Sequence, residues 1–205
     1  MIKINNVTKK YGDRTILDKI NYTFNDTGIY VIKGYNGCGK TTLLNIVSFI
    51  DKNIEGNIEI DGINYQFVSN KNKDKFRKEN IEYIKTKNNI LSFTSCKEFI
   101  NLFSSGMDLE LVKDIDPNKS CKEISGGEEI LVALTKTINS KKKILLLDEI
   151  SAQLDDINLS KVLKKLDEIK NKKLIIFVTH DKRILQENKN FLIELEGGHL
   201  YDRGK

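Results

Sequence analysis

"GYNGCGKTT", residues 34–42, decides how the rest of the chain is read. Gly34 is followed after four residues by Gly39-Lys40-Thr41, and the stretch comes directly after the apolar run "GIYVIK" (28–33). A continuous apolar run that ends in glycine is the pattern of a buried strand entering a turn. The residues after it, "TTLLNIVSFI" (41–50), bring Leu43, Leu44, Ile46 and Val47 to helical spacing. Strand, glycine turn and helix in that order form an anion cradle. Glycines let the backbone approach closely at φ angles that other residues avoid, so successive N–H groups can converge on phosphate oxygens. The helix N-terminus adds its partial positive charge. In this pattern Gly34, Asn36, Gly37, Cys38 and Gly39 line the phosphates, and Lys40 reaches the β- and γ-phosphates. The Thr41 hydroxyl is a Mg²⁺ ligand, and Thr42 bonds the α-phosphate. Cys38 has two readings, a small filler or an oxidisable thiol near a helix N-terminus.

Working outward, "KILLLDE" (143–149) is an apolar strand that ends in adjacent carboxylates. Such a pair alone often marks only the entry to a solvated loop. Beside a phosphate loop it has a use, because Mg²⁺ takes oxygen ligands and keeps several waters. Asp148 is then placed to hold a Mg²⁺-bound water, and Glu149 to polarise or position an attacking water as general base. "LIIFVTHD" (174–181) is a third buried run, and His180 stands at its end, where ligands bind in open α/β sheets. A γ-phosphate contact is the functional reading of His180, and a structural histidine the plain one. A second glycine signal, "ISGGEEI" (124–130), opens a helical pattern some ninety residues after the first. Glu128 and Glu129 fall in its first turn, where carboxylates suit the helix dipole. They are expected to point away from any triphosphate.

"IKINNV" and "KINYTF" alternate like half-exposed strands near an edge, and "EGNIEIDGINY" reads as a hairpin turning at Asp61-Gly62. The polar "SNKNKDKFRKEN" leads into the short strand "IEYI", and residues 92 to 140 become helical. "KKILLLDE", "KKLIIFVTH" and "NFLIELEGGHL" return as strands around the amphipathic "NLSKVLKKLDEIK". Alternation at both ends with a helical stretch between predicts an α/β core, about 1–86 and 141–205, carrying a helical lobe at about 87–140. No linker divides the 205 residues, so a single domain is expected.

Composition narrows the partners. The formal charge is +5, yet only Arg14, Arg77, Arg183 and Arg203 are arginine, the residue favoured for bidentate phosphate and base recognition. The lysines are scattered and read mainly as a solvated surface, so no nucleic acid is expected; a basic surface facing anionic lipid heads or a membrane partner ranks just above a nucleic-acid footprint. Three cysteines without metal-ligand spacing suit a reducing cytoplasm. The opening "MIKINNVTKK" has no apolar region of a signal peptide, and no run approaches the roughly 18 apolar residues of a membrane span.

Taken together, "GYNGCGKTT", "ISGGE", "KILLLDE", "SAQLDD" and "VTHD" resemble the motifs of the ATP-binding cassette (ABC) ATPases, in the family's order and over essentially the whole chain. The resemblance implies a P-loop NTPase core with an antiparallel β edge subdomain and an inserted helical lobe. It implies ATP and Mg²⁺ as ligands. It also implies a head-to-tail dimer with a second copy or a related cassette, in which Ser125, Gly126 and Gly127 bind the nucleotide held by the partner. Tyr11 in "KKYGDRT" matches the family's adenine-stacking aromatic. There are departures. The family's glutamine, which links the metal to the lobe, aligns with Thr86 in "IEYIKTKNNIL", a short side chain with Lys87 next, while Gln66 lies about twenty residues too early. The signature helix "EEILVALTK" lacks the usual arginine. A threonine there implies coordination through a water or weaker coupling.

The implied function is a detached ATPase subunit, cytoplasmic and peripheral on the inner membrane face, docked on separate transmembrane permease subunits. "SCKEFINLF", with Phe99, Ile100, Leu102 and Phe103, offers an apolar contact for docking. The signature glutamate and compact size resemble export and efflux cassettes for a peptide, lipid or drug-like substrate. The alternatives are a soluble ABC ATPase of ribosome or DNA, another P-loop enzyme such as a GTPase or small-molecule kinase, and a degenerate regulatory cassette. DNA-repair members usually carry a long coiled-coil insertion and translation members two cassettes in one chain, and neither is seen. The GTPase guanine-recognition motif Asn-Lys-x-Asp is also missing.

Overall fold

The computed structural model describes residues 1–86, 94–101, 108–185 and 191–204. Two sheets share one core. The first is antiparallel, in the order β2-β1-β4-β5, from β1 (Ile2–Tyr11), β2 (Arg14–Phe24), β4 (Glu55–Ile60) and β5 (Ile63–Asn64). The second runs β10-β9-β3-β8-β7-β6, from β3 (Gly28–Lys33), β6 (Ile81–Ile84), β7 (Ile144–Asp148), β8 (Leu174–Val178), β9 (Phe191–Glu196) and β10 (His199–Asp202). Its strands pair in parallel except for the β9–β10 hairpin. "NFLIELEGGHL" is therefore two strands, broken where Gly197 and Gly198 both take positive φ.

The period of two along each buried strand explains the layers. Tyr30 and Ile32 of β3, Leu146 of β7, and Ile176 and Val178 of β8 join one cluster with β1, β2, β4 and α1 (Lys40–Val47). Their alternates, Val31, Leu145, Leu147, Ile175 and Phe177, join a second cluster on the opposite face with α4 (Gly126–Asn139) and α5 (Asp156–Ile169). The parallel sheet is thus buried on both faces, and its strand ends and following loops carry the chemistry.

Two elements differ from the sequence reading. The polar "NKNKDKFRKEN" is a helix, α2 (Asn70–Asn80), capped by the Ser69 hydroxyl, which accepts from the Asn72 N–H at 3.4 Å. No residue in it is buried. Its anchor is the Phe76 ring, 5.2 Å from that of Tyr65 and 6.0 Å from that of Phe49, so there was no apolar period to read. Between β6 and β7 the described residues are less helical than expected. They form α3 (Cys96–Asn101), a 3₁₀ turn (Glu110–Val112) and α4, with an isolated antiparallel bridge between Ser95 and Ser120. Phe99 is buried, whereas Lys87, Leu102, Phe103 and the side chain of Ile100 lie outside the described residues. The last helix, α6 (Lys182–Leu185), follows β8. Among the described residues no helix is long and apolar enough to cross a membrane.

Candidate functional site

The phosphate loop is built by backbone geometry. Gly37 and Gly39 take φ of +82° and +112°, in the region that favours glycine. A Cβ on Gly39 would also lie 2.9 Å from the Ile16 side chain. The first helical bond runs from the Leu43 N–H to the Gly39 carbonyl at 2.8 Å, which leaves the N–H groups of Lys40, Thr41 and Thr42 outside the ladder. Asn36 is exposed in the turn. Gly34 has no room for a side chain, since a Cβ there would lie 2.6 Å from the Cys38 sulfur. Cys38 is buried, and burial pushes its thiol pKa up against the pull of Lys40. That favours the filler reading over a reactive thiolate.

Lys40 is buried and fully engaged. Its ammonium donates to the carbonyls of Gly34 (2.8 Å) and Tyr35 (3.2 Å) and lies 3.3 Å from Glu149 Oε1. The other Glu149 oxygen meets His180 Nδ1 at 2.8 Å. Glu149 itself sits in the left-handed region at φ +54°, with its N–H bonded to the Val178 carbonyl at 3.0 Å. The end of β7 thus turns sharply, and a side chain that would have followed the strand swings toward the loop.

Asp148 is 7% exposed, and burial raises its pKa above the ordinary carboxylate value. Its Oδ1 accepts from the Thr41 hydroxyl at 3.1 Å and its Oδ2 from the Tyr83 hydroxyl at 3.0 Å. A hydroxyl and a carboxylate side by side at a phosphate cradle form a hard oxygen donor pair, which fits Mg²⁺.

At the hairpin tip, Tyr11 is 52% exposed, its hydroxyl donating to Asp51 Oδ2 at 3.1 Å. The buried Lys9 lies under the ring, 4.8 Å from its centroid, and is itself held by Asp51 (2.8 Å) and the Asn53 carbonyl (2.8 Å). One ring face is taken by the cation and the ring is fixed at its hydroxyl.

The second glycine segment caps α4. Ser125 Oγ accepts from the Glu128 N–H at 3.2 Å, and the Glu128 carboxylate accepts from the Ser125 N–H at 2.7 Å. This reciprocal pair is a capping box. The Glu128 carboxylate is thereby turned back onto the Ser125 N–H of its own chain. Ser125, Gly126 and Gly127 line an open pocket of about 430 Å³ with Glu128, Gln153, Asp155 and Asn158. None of these residues comes from the phosphate loop. The loop 150–155 runs between the two places, starting beside Glu149 and ending with Gln153 against Gly126 and Gly127.

A family model described as ABC transporter matches residues 17–152. The chain belongs to the ABC transporter family. It is 32% identical to the tungstate uptake system ATP-binding protein TupC of Peptoclostridium acidaminophilum, over 97% of this chain and 96% of that protein. It is 29% identical to the macrolide export ATP-binding/permease protein MacB of Campylobacter jejuni over 98% of this chain. The chain spans only 33% of MacB's length. Among solved structures, it superposes on the ATP-binding cassette MJ0796, a protein of Methanocaldococcus jannaschii, with a TM-score of 0.83, 26% identity and full coverage of both chains. That structure is a dimer in a post-hydrolysis state, bound to ADP and Pi.

Within this cassette, the residues singled out by sequence fall into separate groups. Lys40, Thr41, Asp148, Glu149 and His180 converge through direct contacts. Ser125, Gly126 and Gly127 form the other place. Thr86 is half-buried just past β6, and the partners of the Asp148 carboxylate are Thr41 and Tyr83 instead. Sequence reading missed Tyr83, because the alternation along each strand is legible and the register between strands is not. β6 pairs Tyr83 with Leu146, so the period of two puts it on the same face as Asp148, two residues on. The Lys9–Asp51 support of Tyr11 had no comparable signal, because it joins positions 42 apart through a loop.

Proposed function

We propose that the chain binds and hydrolyses ATP as one half of a head-to-tail dimer, and that this cycle powers a membrane transporter. The observation that carries the reading is the division of the nucleotide chemistry into two places on one chain, the phosphate loop with its carboxylates and the signature pocket, whose linings do not overlap. A two-fold dimer joins each to its complement and yields two composite sites.

In this reading Lys40 exchanges the Gly34 and Tyr35 carbonyls and Glu149 for the β- and γ-phosphates, while the N–H groups of residues 36–42 receive the remaining oxygens. Thr41 and Asp148 hold Mg²⁺, which when bound neutralises phosphate charge. Glu149, released from Lys40, accepts a proton from or orients the attacking water, and His180 passes from Glu149 to the γ-phosphate. Tyr11 stacks on adenine with its free face, a contribution of about 1–3 kcal/mol by analogy with other base–aromatic contacts. Ser125, Gly126 and Gly127 contact the partner's nucleotide through a hydroxyl and backbone N–H groups.

The segment 87–140 serves as the lobe that docks on separate transmembrane subunits, which puts the chain on the inner face of the membrane. We propose export, the reading the signature glutamate supports. Relatives named for macrolide export and for uptake of tungstate, Fe(3+) ions and spermidine/putrescine lie at similar identity.

Complementation tests the composite site. Lys40→Ala breaks only the phosphate loop and Ser125→Arg only the signature, so each variant alone is inactive. Mixing them assembles one intact site per heterodimer, and ATP turnover returns. A mixture as inactive as its parts overturns the reading.

A further inference from the structure

The Asp148 carboxylate has two hydroxyl donors, and one of them belongs to no part of the scheme above. Thr41 is already assigned to the cation. Tyr83 comes from the neighbouring strand, is half-buried, and reaches Asp148 Oδ2 at 3.0 Å. The register makes this possible. Tyr83 lies opposite Leu146, so Asp148 is its diagonal neighbour on the same face, within reach of a long side chain. The Lys85 ammonium also lies over the Tyr83 ring, 4.6 Å from its centroid. A hydroxyl fixed at ring length is a stiffer partner than a threonine on the first turn of a helix, and it orients the carboxylate plane so that Oδ1 faces the phosphate loop.

We propose that Tyr83 is the positioning residue of the metal-binding carboxylate, holding Asp148 Oδ2 so that Oδ1 is presented beside Thr41. This rests on the assignment of Asp148 to the cation. Outer hydrogen-bond partners of metal ligands act by restricting ligand orientation, and losing one typically weakens metal binding without removing it. Thr86 then need not reach the metal for the site to be ordered, since the strand before it supplies an anchor three residues earlier.

The experiment follows Mn²⁺ binding to the full chain in the presence of ADP, read from loss of the free-ion paramagnetic resonance signal. Tyr83→Phe keeps the ring and removes the hydroxyl. It is expected to weaken Mn²⁺ about tenfold, with ADP affinity in EDTA unchanged. In steady state the Mg²⁺ concentration for half-maximal turnover rises, while turnover at saturating Mg²⁺ holds. Asp148→Asn, measured alongside, is expected to weaken Mn²⁺ further. If Asp148→Asn leaves Mn²⁺ binding intact, the underlying metal assignment fails. If Asp148→Asn weakens it and Tyr83→Phe does not, the role given to Tyr83 is wrong. Loss of metal-free ADP binding in Tyr83→Phe marks a merely structural residue and overturns the proposal as well.

Discussion

The phosphate loop and the signature both present glycines at the start of a helix, and the glycines are there for different reasons. In the loop, Gly37 and Gly39 are needed for positive φ, at +82° and +112°. In the signature, Gly126 and Gly127 are not in that region, and what excludes a side chain is proximity. A Cβ on Gly127 would lie 2.7 Å from the Gln153 carbonyl. The charges differ in the same way. At the loop, Glu149 joins Lys40 to His180 and the adjacent Asp148 accepts from Thr41, whereas the signature satisfies its own terminus with a capping box. One place is preassembled for chemistry; the other is a finished helix end with a shallow pocket. In the proposed composite site the first place supplies the reacting groups and the second a hydroxyl and backbone N–H groups.

The largest effect should separate the two places by chemistry. Glu149→Gln is expected to lower ATP turnover by about 10²–10⁴-fold while nucleotide still binds, measured by phosphate release and by titration of a fluorescent ATP analogue. Equal loss of both would show that Glu149 acts on binding. Next, Gly39→Ala tests the backbone reading. Strain at φ +112° and the contact with Ile16 should together cost about 1–3 kcal/mol in urea unfolding. Unchanged stability would show that the loop relaxes freely. On the signature side Ser125→Ala removes a cap, a loss of about 1 kcal/mol of stability, with nucleotide binding by the separate chain unaltered.

The smallest effect concerns the loop that joins the two places. Arg183 donates to the carbonyls of Ser151 (3.1 Å) and Leu154 (3.3 Å) and pairs with Asp181 at 2.6 Å. Hydrogen bonding to Arg183 holds the Asp181 pKa below its ordinary value. A carboxylate depressed in the folded state stabilises fully above its unfolded pKa, about 4, and that stabilisation is lost as pH falls through the depressed value. Urea midpoints of wild type and Asp181→Asn should therefore differ at pH 7 and converge as the pH falls below about 4. A gap that is constant with pH would detach Asp181 from this role.

Much of this was legible in residue order because it depends on local patterns. Continuous apolar runs marked β3, β7 and β8 as doubly buried strands, and glycine spacing marked the loop at the end of β3. What was not legible depends on one side chain or on distance along the chain. Helix α2 hangs on Phe76 and a serine cap, without an apolar stripe. The capping box of α4 needs Ser125 and Glu128 three residues apart, a local pattern, but the bond from the Ser125 N–H to the Glu128 carboxylate fixes a rotamer that spacing alone does not set. Tyr83 was hidden in a four-residue strand, where a tyrosine reads equally as core. Its role depends on which residue of β7 lies opposite, and the sequence does not print that register.

The central claim is that the two glycine places complete each other across a dimer. Its most direct test is the solution mass of Glu149→Gln protein with and without Mg-ATP. The account predicts a monomer that becomes a dimer only when ATP is present, and that stays a monomer when Ser125→Arg is added. A protein saturated with ATP that remains a monomer would contradict it.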